Sequence, residues 1–404
     1  MLALISTQLL FVPSASAATM FEIEVGRFFD ETDHSAESMR FFPSALRVHQ
    51  GDILHFRTNS FHSVTLLPVG QDATTWTLDN VGQANKTWSL FRSDPDEGAG
   101  AFKINPAVLS PSGACGWPTQ SPCSFSGAGD ASNGLVHSGL ALFPTSGNDA
   151  ETKQLDFSVK VLAEPGQSFD VLDVLHPGLA MGVEVVAAGE DASDPIALQT
   201  LSDAQFAEDQ ATATRLHRNY QSKRVKKVIS GRTIWSAWAG VETPTVSLRR
   251  MYPSRLVIKK GDRVRWSFTK NVFSSHTVSF PAAKARTIAA RFPEIRCDQD
   301  GDFPEQGTGT PDTAPTSLSP PYCASFSELE LDVPARMTTV LGDRVVSSAR
   351  DLASSGPRGK GIAISTGPYT LQFRALSGTK GFSYISMIYE IAHANTRGKV
   401  VVTR

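Results

Sequence analysis

Beyond its N-terminus the chain has no run of about 18 apolar residues, so no membrane-spanning helix is expected. Cysteine is scarce, with four in 404 residues. None stands in a C-x-x-C pair, which argues against a zinc ribbon or a thioredoxin-like redox site. No G-x-S-x-G, Walker A or dinucleotide fingerprint stands in a suitable context. Without a catalytic motif, an enzyme is not the leading expectation. The basic run Lys223-Arg224-Val225-Lys226-Lys227 lacks an accompanying series of stacking aromatics. It is therefore expected to face water or an acidic surface rather than nucleic acid. Charged residues make up 19% and hydrophobic residues 41%, a balance that excludes a wholly disordered chain.

The length suits two to three domains. Residues 1–17 read as a secretory signal: Leu2 to Val12 are mostly apolar, Pro13 breaks the run, and Ala15-Ser16-Ala17 fits a small-residue cleavage site. The expected location is secreted or extracytoplasmic. An even cysteine count in an exported chain favours two disulfides, Cys115–Cys123 and Cys297–Cys323. Each would stabilise its loop by about 3 kcal/mol; four reduced buried thiols are the alternative. One glycosylation sequon, Asn85-Lys86-Thr87, is near chance in a chain this long.

The chain repeats itself. Phe42-Pro43-Ser44 leads through alternating apolar residues to Gly51-Asp52 and a second alternating run ending at Phe56. Tyr252-Pro253-Ser254 leads in the same way to Gly261-Asp262 and Trp266. Both copies predict two strands joined by a Gly-Asp turn. A histidine follows each, His62 in Phe61-His62-Ser63-Val64 and His276 in Ser275-His276-Thr277-Val278. The far ends match as well. His176 and His393 each follow a strand pattern, and Gly182 to Val186 and Gly398 to Val402 close the two halves. The expected units are 18–190 and 225–404, joined by a partly helical linker at 191–224. Ser202-Asp203-Ala204-Gln205 looks like the start of that helix, with Phe206 and Leu216 as docking residues. Charge divides between the halves: residues 18–190 carry 9 Lys/Arg against 21 Asp/Glu, and residues 223–404 carry 27 against 14. Fields of opposite sign favour docking within or between chains.

These residues resemble the cupredoxins, the plastocyanin- and azurin-like blue copper domains, over nearly all of both halves. The resemblance implies an all-β fold: two Greek-key cupredoxin-like β-sandwiches. It implies an early-strand histidine, here His62 and His276, and a loop histidine, here His176 and His393. Where the family has its copper-binding cysteine, three residues before the loop histidine, stand Asp173 and Glu390. Where it has methionine stand Leu179 and Thr396. Without thiolate or thioether a blue copper electron carrier is disfavoured, because the short copper–sulfur bond sets that chemistry. The His-x-His and His-Cys-His signatures of multicopper oxidases are missing too.

Two histidines and a carboxylate at equivalent places suit a non-blue copper or another divalent ion such as zinc. The candidate ligand sets are His62, Asp173, His176 and His276, Glu390, His393. Met181 is a soft ligand if its loop folds inward, and a core residue otherwise. The competing reading is a metal-free extracellular binding or structural module. His55, in a strand beside Phe56, is expected to be packed or exposed, and the Asp298, Asp300, Asp302 cluster to be a solvated acidic loop. His137 lies in the Gly/Ser-rich loop after Cys123, where substrate-contacting loops often lie, but nothing else in the sequence supports such a role.

Overall fold

The structure, a computed structural model, describes residues 18–404 apart from 31, 59, 61, 82–85, 90, 94–101, 110, 113–114, 116–121, 129–134, 140–154, 177, 269–273, 290–293, 298–328, 333–344, 349, 357, 359–366 and 388–395. The expected signal segment therefore lies outside the described residues. So do Asn85, the 298–302 acidic cluster, Cys323, Glu390 and His393.

The chain is all-β, with a similar five-stranded sheet in each half facing a larger shared one. In the first half, Ala45–His49, Ala180–Val186, Ser168–Leu172, Thr65–Leu66 and Val136–His137 form a five-stranded sheet in that order. In the second, Arg255–Lys259, Arg397–Thr403, Phe382–Ile385, Ser279–Phe280 and Ala353–Ser354 do the same. The closing strand lies parallel to the first strand of its sheet in both halves, with Val183 opposite Leu46 and Val401 opposite Val257. The opposing layers belong to one eleven-stranded sheet that runs through both halves.

Local chemistry explains the repeated motif. Gly51 and Gly261 sit at φ +100° and +95°, where a side chain is strained. The aspartate that follows closes the turn: Asp52 Oδ2 accepts from the His49 N–H at 2.8 Å, and Asp262 Oδ2 from the Lys259 N–H at 3.1 Å. The alternating apolar residues then fall on one face. Leu46, Val48, Leu54 and Phe56 enter the first core, and Leu256, Ile258, Val264 and Trp266 the second.

The halves join edge to edge. Ala36–Phe42 pairs antiparallel with Val246–Tyr252, placing Glu37 opposite Ser247. The contacts flanking that pair mirror each other: Met39 N–H donates to Thr245 O at 2.9 Å, and Arg249 N–H to Ser35 O at 2.8 Å. A local two-fold axis thus passes between Glu37 and Ser247. The insertions also meet, in a four-stranded sheet where Leu329–Asp332 of one half pairs with Phe102–Ile104 of the other.

The helix between the halves runs over Pro195–Ser222, beginning one turn and more before the expected capping box. Asp194 is the cap, its side chain accepting from the Ile196 N–H, and Pro195 suits a first-turn position because its missing N–H is not needed there. Ser202 is accordingly a buried interior residue. Phe206 stacks near Phe29 and Phe42, with ring centroids 5.4 and 6.2 Å away, and Leu216 packs with Tyr252 and Leu248. Asp209, fully buried, accepts from Ser38 and Arg40 of the first half and from Thr245 of the second, so the helix bridges the seam.

Candidate metal centre

Three segments bring the first-half site together. His62 precedes the short strand Thr65–Leu66, Asp173 follows Ser168–Leu172, and His176 lies in the turn leading to Ala180–Val186. Backbone bonds fix that turn: Asp173 N–H donates to Leu179 O, and Leu179 N–H to His176 O, both at 3.0 Å. Asp173 Oδ1 accepts from the Ser63 N–H and hydroxyl and from the Leu175 N–H. Its Oδ2 accepts from His62 Nδ1 and His176 Nδ1, each at 2.7 Å. The imidazole centroids are 4.7 Å apart, and all three side chains are buried.

A residue outside the sequence-level set completes the cluster. Glu37 Oε1 takes a hydrogen bond from His62 Nε2 at 2.8 Å. Arg249, which comes from the other half, donates through Nη2 to Glu37 Oε2. Nothing in the sequence pattern linked Glu37, which stands before Ser38-Met39-Arg40-Phe41-Phe42, to His62. The approach of Glu37 to His62 needs Gly26. That residue sits at φ +66° in a bulge, and a Cβ there would lie 2.0 Å from His62 Nε2. Gly240, at φ +75°, marks the same bulge in the second half.

The electrostatics follow from burial against partner charge. Burial alone would drive the His62 imidazolium down, but Glu37 and then Asp173 overcome it and hold it up at about 9. Burial would raise Glu37; Arg249 and His62 outweigh it and keep the carboxyl far below the usual range. Asp173 is likewise held low against its burial, by His176 and His62. Burial wins at His176, which is pushed down despite Asp173. Arg249, Glu37, His62 and Asp173 then alternate in sign, with His176 neutral at the end.

The donor set fits a divalent cation. His62, Asp173 and His176 each offer one ligand atom, and these atoms all lie within 4.8 Å of one another. Ligating histidines characteristically give their other ring N–H to a carboxylate, which is the role Glu37 has toward His62. These residues would hold the ion through two nitrogens and one oxygen, leaving open positions for water or a small ligand. Cys115 and Cys123 are joined in a disulfide, so neither offers a thiolate. Met181 lies in the strand Ala180–Val186 with its side chain in the first-half core.

The second half is different. His276 is buried, and its backbone exchanges hydrogen bonds with Arg358. Thr277 N–H bonds to Ser386 Oγ at 3.1 Å, Met387 N–H to Thr277 Oγ1 at 2.7 Å, and Ser386 N–H to Thr396 O at 3.1 Å. Ser63, Asp173, Val174 and Leu179 make the same bonds in the first half. Ser386 is therefore the backbone counterpart of Asp173, because the second loop is four residues longer and counting back from the loop histidine loses the register. Burial, followed by Arg249, pushes His276 down to about 3.

His137, set aside in the sequence, belongs to a duplicated brace. Ser138 Oγ accepts from Val64 N–H and donates to Gly139 O, as Ser355 does between Val278 and Gly356. His137 itself bonds Thr65 Oγ1 and Val108 O, and burial pushes it down to about 4. His55 is partly exposed and meets Glu22 at 2.9 Å.

No protein-family model matches the chain, and no curated protein is significantly similar to it. Among solved structures it is similar to a copper nitrite reductase from Nitrosomonas europaea, at 9% identity over 96% of this chain and 94% of that one, with a TM-score of 0.18. A multicopper oxidase, mgLAC, is similar at 11% identity over 88% and 86%, also at 0.18. Likenesses this loose assign neither a site nor an activity. No described helix is long and apolar enough to cross a membrane.

Proposed function

We propose that this is an exported, tandem cupredoxin-like metal-binding protein whose first half holds one divalent ion, copper or zinc, through His62, Asp173 and His176. The observation that carries the reading is the convergence of two imidazole Nδ1 atoms on one carboxylate oxygen, with the far nitrogen of His62 on Glu37. Without a thiolate the centre is non-blue, and its role is storage, delivery or slow redox chemistry. Export is supported by the apolar start of the chain and by the disulfide Cys115–Cys123. The equivalent assignment to His276, Glu390 and His393 remains part of the proposal. It is the weaker part, because a serine occupies Asp173's place.

The test is metal content by mass spectrometry after loading the full chain with Cu(II) or Zn(II) and desalting. Wild type should retain one ion at the first-half site, and His176→Ala should lose it while keeping its β-sheet circular dichroism. Equal metal in the two proteins removes the proposal.

A second reading rests on a specific observation: alternating charges from Arg249 to Asp173 satisfy the cluster without any ion. In that case the protein is a metal-free extracellular module, and the network fastens the two halves together. Copper or zinc would then leave thermal stability unchanged, whereas an ion bound only by the folded state must raise it.

A further inference from the structure

The second half carries a hairpin that the sandwich does not use. Lys226–Ile229 pairs antiparallel with the start of Arg232–Thr243, Lys227 lying opposite Ile234 and Ile229 opposite Arg232. Ser230 and Gly231, at φ +50° and +73°, form the two-residue turn that such a ribbon requires. Every residue of Lys226–Ile229 is exposed. Among the described residues the first half has no counterpart, its matching strand beginning at Met20.

Two features make this hairpin more than a solvated edge. Its tip presents Val228 and Ile229, which are 68% and 54% exposed. Successive residues of a strand point to opposite faces, so the ribbon is apolar on both sides at its end. A flat protein surface would cover one side only, while a lipid interface surrounds both. The arm behind the tip is cationic, with Lys223, Arg224, Lys226, Lys227 and Arg232, and no acidic residue occurs from 223 to 241. Lys226 and Lys223 lie over the half-buried rings of Trp235 and Trp238, which fixes the base of the arm.

We propose that the hairpin docks the protein on an anionic lipid surface, Val228 and Ile229 entering the headgroup region and the flanking cations meeting lipid phosphates and carboxylates. Apolar insertion joined to electrostatic attraction is the general basis of such peripheral binding. This reading is independent of the metal site.

The experiment is co-sedimentation of the full chain with vesicles of phosphatidylcholine alone and with 30% phosphatidylserine. Binding is expected only to the anionic vesicles, and to weaken as salt rises. Each cation near such a surface contributes about a fivefold factor. Lys226→Glu with Lys227→Glu should therefore weaken binding at least about 25-fold. Val228→Ser with Ile229→Ser should weaken it several-fold with all charges kept. These positions are exposed, so unchanged melting of both variants checks that the fold survives. Equal binding to neutral vesicles, no binding to either, or a serine variant that binds like wild type overturns the proposal; the last result would instead indicate a purely acidic partner.

Discussion

Raising the pH from 6.5 to 9 should unfasten the buried network in the metal-free protein. His62 is held at about 9, against about 6.5 for an unfolded histidine. A group whose folded value is raised contributes stability that is full below the unfolded value and is lost as pH climbs through the folded one. That gap between the two values corresponds to roughly 3 kcal/mol at about 1.4 kcal/mol per pH unit. The other groups of the cluster are silent in this window. Glu37 and Asp173 are held low, so their contributions fade only in acid. His137, His176 and His276 are pushed down, so they favour the unfolded chain only below pH 6.5, where it takes up protons more readily. Urea unfolding in the presence of a chelator, at half-unit steps from pH 6 to 9.5, measures the profile. His62→Gln keeps an amide for hydrogen bonding but cannot titrate, and the difference between the two profiles isolates His62. If wild type and His62→Gln show the same slope between pH 6.5 and 9, the assignment of a charged imidazole between Glu37 and Asp173 is wrong.

The same proton opposes a metal ion. Affinity for Zn(II) or Cu(II), measured by chelator competition, should rise about tenfold per pH unit between 7 and 9, because binding must displace the proton from His62 Nδ1. Arg249→Met should cost about 3–5 kcal/mol in urea unfolding, since it leaves the Glu37 charge buried without its cation; pairing it with Glu37→Gln should recover much of the loss. Gly26→Ala should cost about 3 kcal/mol or more, because the new methyl meets His62 and Glu37 and the residue sits at positive φ. A Gly240→Ala protein, bulged alike, is the comparison that separates the clash from the backbone strain.

Much of the architecture was legible because it is duplicated. The Gly-Asp turns, the alternating strands beside them and the closing strands are local patterns with one physical solution each, and seeing them twice fixed their order. His62, Asp173 and His176 were legible for the same reason, as one early strand end and one turn. What escaped was non-local. Glu37 reaches His62 only through a bulge at Gly26, and Arg249 reaches Glu37 only across a seam that no strand pattern announces. The second loop is four residues longer, so Ser386 stands in the backbone register of Asp173, while Glu390 lies outside the described residues. The helix start was misplaced because Ser202 imitates a cap, whereas Asp194-Pro195 combines a cap with a residue that cannot continue upstream.

The seam also explains why two copies of one site have come to differ. Residues on a local two-fold axis face their own counterparts, so a charge there cannot be duplicated without facing itself. Glu37 sits opposite Ser247, and the arginine that neutralises it takes the place that Met39 has in the other half. A second glutamate at 247 would set two buried carboxylates against each other, and an arginine at 39 would add a second buried cation beside the one already paired. The second half keeps its own buried carboxylate one strand away, Glu242, which accepts from Ser247 Oγ at 2.9 Å and from the Ser274 N–H, while the position on the axis itself carries one charge, Glu37, whose network runs toward His62. On the other side the positions of Glu37 and Asp173 are serines, and His276 is held neutral. Ser247→Glu tests this: it should destabilise the protein by several kcal/mol, and more in the presence of Glu37 than in the Glu37→Gln background. Equal losses in the two backgrounds would mean that the axis imposes no such limit.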